Sequence, residues 1–306
     1  MTMDSGNQQN HFAVFGDIHG RIALMYTLAL LWENESGIQL SGLLQVGDMG
    51  AFPNPFKLDD ATQKYAQLDP DELGFHQFCT QTAESEFYLG RENTPSTYFI
   101  RGNHEDFDYL NSFSRPETVD PWQCLHFIPD GQQITLFEPR QPITIGGVGG
   151  IPPITKPRAR GKKARQKYRQ AHRQVGIDAR FFSEVKAKSA FNQSEKIDIL
   201  MTHAGPQCSE LQQSGSIILA ELAERIRPTV HLFGHHHQVI GPCQGPGHSL
   251  LVGLEHLDFN KNGEIREGAW GILTLSEESA TFTFSSPQDL PFLKTVKRQT
   301  YRSLLN

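Results

Sequence analysis

FAVFGDIHG, residues 12–20, carries the strongest structural signal in the chain. Four apolar residues, Phe12-Ala13-Val14-Phe15, run straight into a polar turn that opens and closes on glycine. Short apolar runs bounded in this way read as buried strands. The signature returns along the chain. Leu43-Leu44-Gln45-Val46 leads into GDMG, and Thr97-Tyr98-Phe99-Ile100 into RGNHE. Ile197-Asp198-Ile199-Leu200-Met201 leads into THAGP, and Val230-His231-Leu232-Phe233 into GHHHQ. Longer patterns with helical spacing lie between them, from Arg21 to Trp32 and from Ser216 to Arg227. Strands alternating with helices predict α/β layering around a largely parallel sheet. Ligands of such sheets sit beyond the carboxyl ends of the strands. All five polar turns fall there.

Outside these runs the pattern loosens. Residues 52–73 mix Pro, Asp and aromatics and read as an insertion that overhangs the GD turn. TIGGVGGIPP reads as a glycine-rich turn, and the run from Lys156 to Arg173 is strongly basic, with no Asp or Glu. In the last third, 249–254, 268–275 and 280–284 read as antiparallel strands of a second sheet, and the tail after Pro291 as a short helix or disorder. No repeat or low-complexity linker marks a boundary. The expectation is one domain over 1–306, with a core at about 12–284, insertions at about 52–75 and 152–190, and a tail at about 285–306.

Bulk properties exclude more than they assign. The chain of 306 residues carries a net charge of −6 and a hydrophobic fraction of 38%, enough for a large core. Mild acidity argues against nonspecific nucleic-acid or membrane binding as the whole function. No stretch reaches the ~20 apolar residues needed to span a bilayer, and the N-terminus has no signal-peptide core. Cys79, Cys124, Cys208 and Cys243 form no CxxC pair, which fits free thiols in a reducing cytoplasm.

The turns bring together a mixed set of oxygen and nitrogen donors: Asp17, His19, Asp48, Asn103, His104, His203, His235, His236 and His237. Carboxylate, imidazole and amide oxygen suit Zn, Mn or Fe and suit Ca poorly. Alternate residues of an extended segment share a face, so Asp17 with His19, and His235 with His237, are expected to point the same way, with His236 turned aside. Taken singly, a GDxH turn can be a helix cap, and a histidine after a strand a satisfied structural residue. Five such sets at five strand ends point to two ions, about 3.5–4 Å apart if one carboxylate bridges them.

GDIHG, GD, RGNHE, THAGP and GHHH, in that order, resemble the calcineurin-like metallophosphoesterase superfamily over about residues 12–254. The resemblance implies an αββα sandwich of two mixed sheets flanked by helices, and a binuclear centre that hydrolyses phosphate esters by attack of a metal-bridging hydroxide. By motif, Asp17, His19 and His237 hold the first ion and Asp48 bridges both. Asn103, His203 and His235 complete the second, and His104 assists the leaving group. An imidazole suits that step because it titrates near neutrality. In the related Ser/Thr protein phosphatases the second motif continues to an Asp that orients the histidine, then an Arg. Here GDMGAF puts Ala51 at that position and lacks the Arg, so protein-phosphatase activity is not expected, and Glu105 or Asp106 becomes the candidate orienting group.

The basic run, with Tyr168 inside it, is the one feature that speaks to substrate. It reads as a solvated face or as a seat for a polyanion such as nucleic acid. A looser likeness to RNA lariat debranching enzymes adds RNA phosphodiester cleavage as an alternative, although those carry a cysteine where Asp17 stands. A non-catalytic scaffold or RNA-binding protein on the same fold is the other class.

Overall fold

Two sheets, of seven and six strands, pack face to face. The computed structural model describes residues 9–137, 142–153, 179–192 and 195–305. In the first sheet, β1 (Asn10–Phe15), β2 (Gly42–Gln45), β3 (Thr97–Phe99) and β5 (Leu125–Phe127) run parallel. β4 (Glu117–Thr118) closes one edge antiparallel; β12 (Trp270–Leu275) and β13 (Ala280–Phe284) close the other. The second sheet has order β10-β11-β9-β8-β7-β6. Its members are β6 (Gln133–Phe137), β7 (Pro142–Val148), β8 (Ile199–Thr202), β9 (Val230–Phe233), β10 (Ile240–Gln244) and β11 (Leu250–Gly253).

The period-two rule explains the layers. Phe12 and Val14 of β1 face the second sheet, where they meet Ile145, Ile199, Met201, Leu232 and Val252. Ala13 and Phe15 face the opposite way, onto α1 (Ile22–Ser36). α1 is buried from Ile22 through Leu30, so it is apolar all round, as a core helix must be. It stops at Gly37, whose φ of 70° lets its N–H reach back to Glu33. On the outer face of the second sheet, the helix Ile217–Ile226 turns Leu219, Leu222 and Ala223 inward onto Leu200. Ser216 caps its first turn through the Leu219 N–H. The result is the expected αββα sandwich.

Several expectations need correction. The three apolar runs of the last third do not form one antiparallel sheet. β11 runs parallel to β9 in the second sheet, while β12 and β13 extend the first sheet past β1. Strands buried on both faces look alike in sequence whichever sheet they join. TIGGVGGI is mostly strand: Thr144 to Val148 belong to β7, and Gly146 and Gly147 lie within it.

Residues 52–73 reach the site through Asp59, which lies 3.1 Å from His104 Nδ1, but they are not all loop. They form α2 (Asp60–Ala66) and a 3-10 turn, Pro70–Leu73, that leads into α3 (Phe75–Phe78), where Phe75 and Phe78 are fully buried. The tail is ordered among the described residues. Tyr301 is buried against the α1 side and donates to Asp71, and Arg298 links Asp69 to Asp258. The second expected insertion rejoins the core at Phe182 and the helix Glu184–Ser189. The basic run from Lys156 to Arg173 lies outside the described residues. Among those described, no helix is long and apolar enough to cross a membrane.

Candidate metal centre

The five turns converge at the carboxyl ends of β1, β2, β3, β8 and β9. Asp17, just past β1, and Asp48, just past β2, are almost fully buried. Backbone N–H groups fix both carboxylates. Asp17 Oδ1 accepts from His235 N at 3.0 Å; Asp48 Oδ1 accepts from Asn103 N at 2.6 Å and His104 N at 2.7 Å. Such close approach needs glycine in the neighbouring turn. A Cβ on Gly102 would stand 2.0 Å from Asp48 Oδ1, and one on Gly234 2.2 Å from Asp17 Oδ1.

His203 follows β8 and is buried completely. Its Nδ1 donates to Val46 O at 3.0 Å, which turns Nε2 into the site. Nε2 faces Asn103 Oδ1 at 3.0 Å and Asp48 Oδ2 at 3.5 Å. Three such atoms turned toward one point need positive charge among them, a proton on Nε2 or a bound cation. Burial opposes charging His203, yet the Asp48 and Asp17 carboxylates outweigh it and raise the imidazole to about 9. The donor chemistry fits a metal ion.

Two groups of donors have mutual separations within 4.8 Å: Asp17, His19 and His237, and Asp17, Asp48 and His203. Asp17 is common to both. Asp48 Oδ2 lies 3.9 Å from His19 Nε2 as well as 3.5 Å from His203, so it too stands between the two halves. His237 Nε2 is 3.2 Å from Asp17 Oδ2, and the His235 ring centroid lies 5.1 Å from that of His203. Burial holds His19 down to about 4 and His235 to about 3, so both stay neutral and able to donate a lone pair at neutral pH.

The reason for this convergence differs from strand alternation. His19, Asp48, His235 and His237 have φ of 44°, 52°, 63° and 48°, in the left-handed region, so none lies on an extended segment. Non-glycine residues adopt this conformation at a cost of order 1–2 kcal/mol each, and such strain gathers at functional sites. His236 does turn aside: its Nε2 accepts from Gly205 N at 3.0 Å.

His104 sits beside the cluster, its ring 5.8 Å from that of His19. Its Nδ1 is 3.1 Å from Asp59 Oδ2, which accepts the ring proton. Neither sequence candidate for this position holds it. Glu105 turns inward and accepts from Met49 N at 2.9 Å, Ala51 N at 2.5 Å and Gly102 N at 3.0 Å, tying two of the site's turns together. Asp106 caps the short helix Phe107–Leu110 and accepts from Lys57 Nζ. Burial works against protonating His104, but Asp59 and Asp48 prevail and raise its pKa. Arg101 of the RGNHE motif is engaged with Asp130, Nη2 to Oδ2 at 2.6 Å, and braces the turn.

Sequence reasoning missed Asp59, Glu255 and His256. Asp59 has no local signal, since its partner is 45 residues away. Glu255 and His256 did have one: LEHLD follows β11 as the other turns follow their strands. These two pack beside His237, with donors within 4.8 Å and ring centroids of His237 and His256 4.4 Å apart.

A family model described as calcineurin-like phosphoesterase matches residues 11–239. The chain belongs to that family. Calcineurin-like phosphoesterases are metal-dependent, and the clustered Asp17, His19, Asp48 and His203 supply donors for that dependence. Among solved structures, the chain is similar to TT1561 of Thermus thermophilus, at 13% identity and a TM-score of 0.44, covering 90% of this chain and 99% of that one. It is similar to GAP50, the anchor in the inner membrane complex of Plasmodium, at 14% identity and a TM-score of 0.49, covering 91% and 84%. A phosphatase from Mycoplasma pneumoniae matches at 9% identity and a TM-score of 0.44, covering 94% and 99%. A search of curated proteins returned no match.

Proposed function

We propose that this calcineurin-like phosphoesterase is a hydrolase that cleaves phosphate esters at a binuclear metal centre. The observation that carries the reading is His203 Nε2, held toward Asp48 and Asn103 by the Nδ1–Val46 bond, beside a second donor group that shares Asp17. Asp17, His19 and His237 would hold one ion and Asn103, His203 and His235 the other, with Asp48 available to both. When bound, such ions lower the pKa of a shared water and neutralise charge on the phosphoryl oxygens.

The chain's own residues supply the rest. Buried carboxylates and imidazoles held by backbone hydrogen bonds keep the donor array fixed, so little reorganisation accompanies the reaction. His104 holds a proton on Nε2 while Nδ1 donates to Asp59, and it passes that proton to the departing ester oxygen. Asp59 favours the protonated imidazole and fixes the ring plane.

The test is turnover of p-nitrophenyl phosphate and its bis-ester by metal-stripped protein reloaded with Mn, Zn or Fe. Asp48→Asn and His104→Ala run alongside. Metal-dependent hydrolysis that collapses in both variants supports the reading, and the ester ratio assigns mono- or diesterase. Turnover indifferent to chelation and to Asp48→Asn would overturn it. A nucleic-acid partner on the basic run is retained as an extension, with steep salt dependence of RNA binding as its signature.

A further inference from the structure

Among the described residues, the exposed large hydrophobics include two aromatics, Phe56 and Tyr65, and both lie in the segment that delivers Asp59 to His104. Phe56 is 94% exposed, although most of that chain stretch is tethered. Its own N–H donates to Asn54 Oδ1 at 3.0 Å, and Lys57 N donates to Asn54 O at 3.0 Å, which closes the tip into a turn. Pro53 and Pro55 flank Asn54 and restrict the backbone further. Lys57 Nζ then anchors the turn to Asp106 at 3.0 Å and Asp108 at 2.8 Å, next to the RGNHE turn. The Phe56 ring is therefore presented on a stiff support and left open to solvent.

Its place relative to the chemistry follows from chain connectivity. Phe56 precedes Asp59 by three residues, at most about 10 Å of extended chain. Asp59 touches His104. In the function proposed above, His104 faces the departing ester oxygen, so Phe56 lies within reach of the leaving-group side, on a segment tied there through Asp59 and Lys57. A group that leaves past His104 comes within reach of a solvent-facing aromatic ring on a closed turn, whose neighbouring Lys57 charge is already paired with two aspartates. That surface offers stacking and little electrostatic attraction.

We infer that Phe56 is a stacking platform for a flat aromatic leaving group, and that the substrates of this centre are phosphoesters of nucleosides or alcohols of similar shape. The inference rests on the phosphoesterase reading. A ring carried on a closed backbone turn loses only side-chain freedom when it stacks. The ring acts on recognition, while His104 and the metal donors act on the bond.

The pair that isolates it is adenosine 5′-monophosphate and ribose 5-phosphate, which lose the same primary alcohol and differ in the base alone. The expected result is a kcat/KM for the nucleotide higher by roughly 5- to 100-fold, the range of one base stacked on one ring. Phe56→Ala brings that ratio to about one, mostly through KM, and Phe56→Trp keeps it. Equal ratios in the natural protein and Phe56→Ala, with both substrates hydrolysed, overturn the platform and leave the phosphoesterase standing. Absence of turnover on these two and on p-nitrophenyl phosphate overturns the phosphoesterase reading, and the platform with it.

Discussion

Replacing Asp59 separates the positioning of His104 from its chemistry. Hydrogen bonds to charged groups contribute about 1.5–3 kcal/mol. Here the His104 and Asp59 side chains are 30% and 33% exposed, so water screens the pair and reduces that contribution to about 1–2 kcal/mol. At about 1.36 kcal/mol per tenfold, Asp59→Ala lowers kcat by about 5- to 30-fold where proton donation limits the rate. An alkyl ester such as glycerol phosphate shows the full effect, because an alkoxide is a poor leaving group. p-Nitrophenolate departs without a proton and shows little. Asp59 raises the His104 pKa, so its removal lowers that pKa and the alkaline limb of kcat moves to lower pH. In a His104→Ala background the second substitution adds nothing, because the two act as a unit. The assay is steady-state hydrolysis of both esters across pH with metal-saturated protein. Asp59→Ala within about twofold of the natural protein on the alkyl ester, where His104→Ala loses on the order of 100-fold or more, would remove Asp59 from this role.

Other outcomes follow from the same structure. Glu105→Gln puts an amide N–H₂ against at least one of three buried backbone donors, which costs about 1–3 kcal/mol and lowers Tm by roughly 2–5 °C; an unchanged thermal scan would count against the tie. His231 is fully buried and burial holds it down to about 3, against 6.5 when free, so it stays neutral in the fold and its contribution is intact above pH 6.5. As pH falls from 6.5 toward 3 the unfolded state gains a proton that the folded state refuses, at about 1.4 kcal/mol per pH unit. His231→Leu therefore flattens the acid side of the stability curve by one proton, read from urea midpoints between about pH 4 and 7. Tyr301→Ala removes a fully buried ring and its bond to Asp71, so a loss of about 3–5 kcal/mol is expected, with faster amide exchange in residues 69–73. Exchange unchanged there would dissociate the tail from that segment.

The strand-turn units, and the donors they carry, were readable from the amino-acid order alone. A buried strand ending in glycine and a polar residue leaves a local trace, because apolar runs, turn glycines and helix caps act over a few residues. Asp17, His19, Asp48, Asn103, His203, His235 and His237 stood out as strand-end donors for that reason, as did the core of both sheets. Whatever depends on distant partners was settled by the folded chain. Which sheet β11, β12 and β13 join is set by hydrogen-bond ladders between chain segments far apart, and an apolar run carries no mark of its neighbour. The left-handed turns at His19, Asp48, His235 and His237 aim their side chains where alternation would not, held by backbone contacts across the turns. Asp59 reaches His104 from a segment that resembles an ordinary insertion, after Glu105 and Asp106 are taken up elsewhere. A carboxylate's role depends on which donor lies within about 3 Å of it, and that distance exists once the chain has folded.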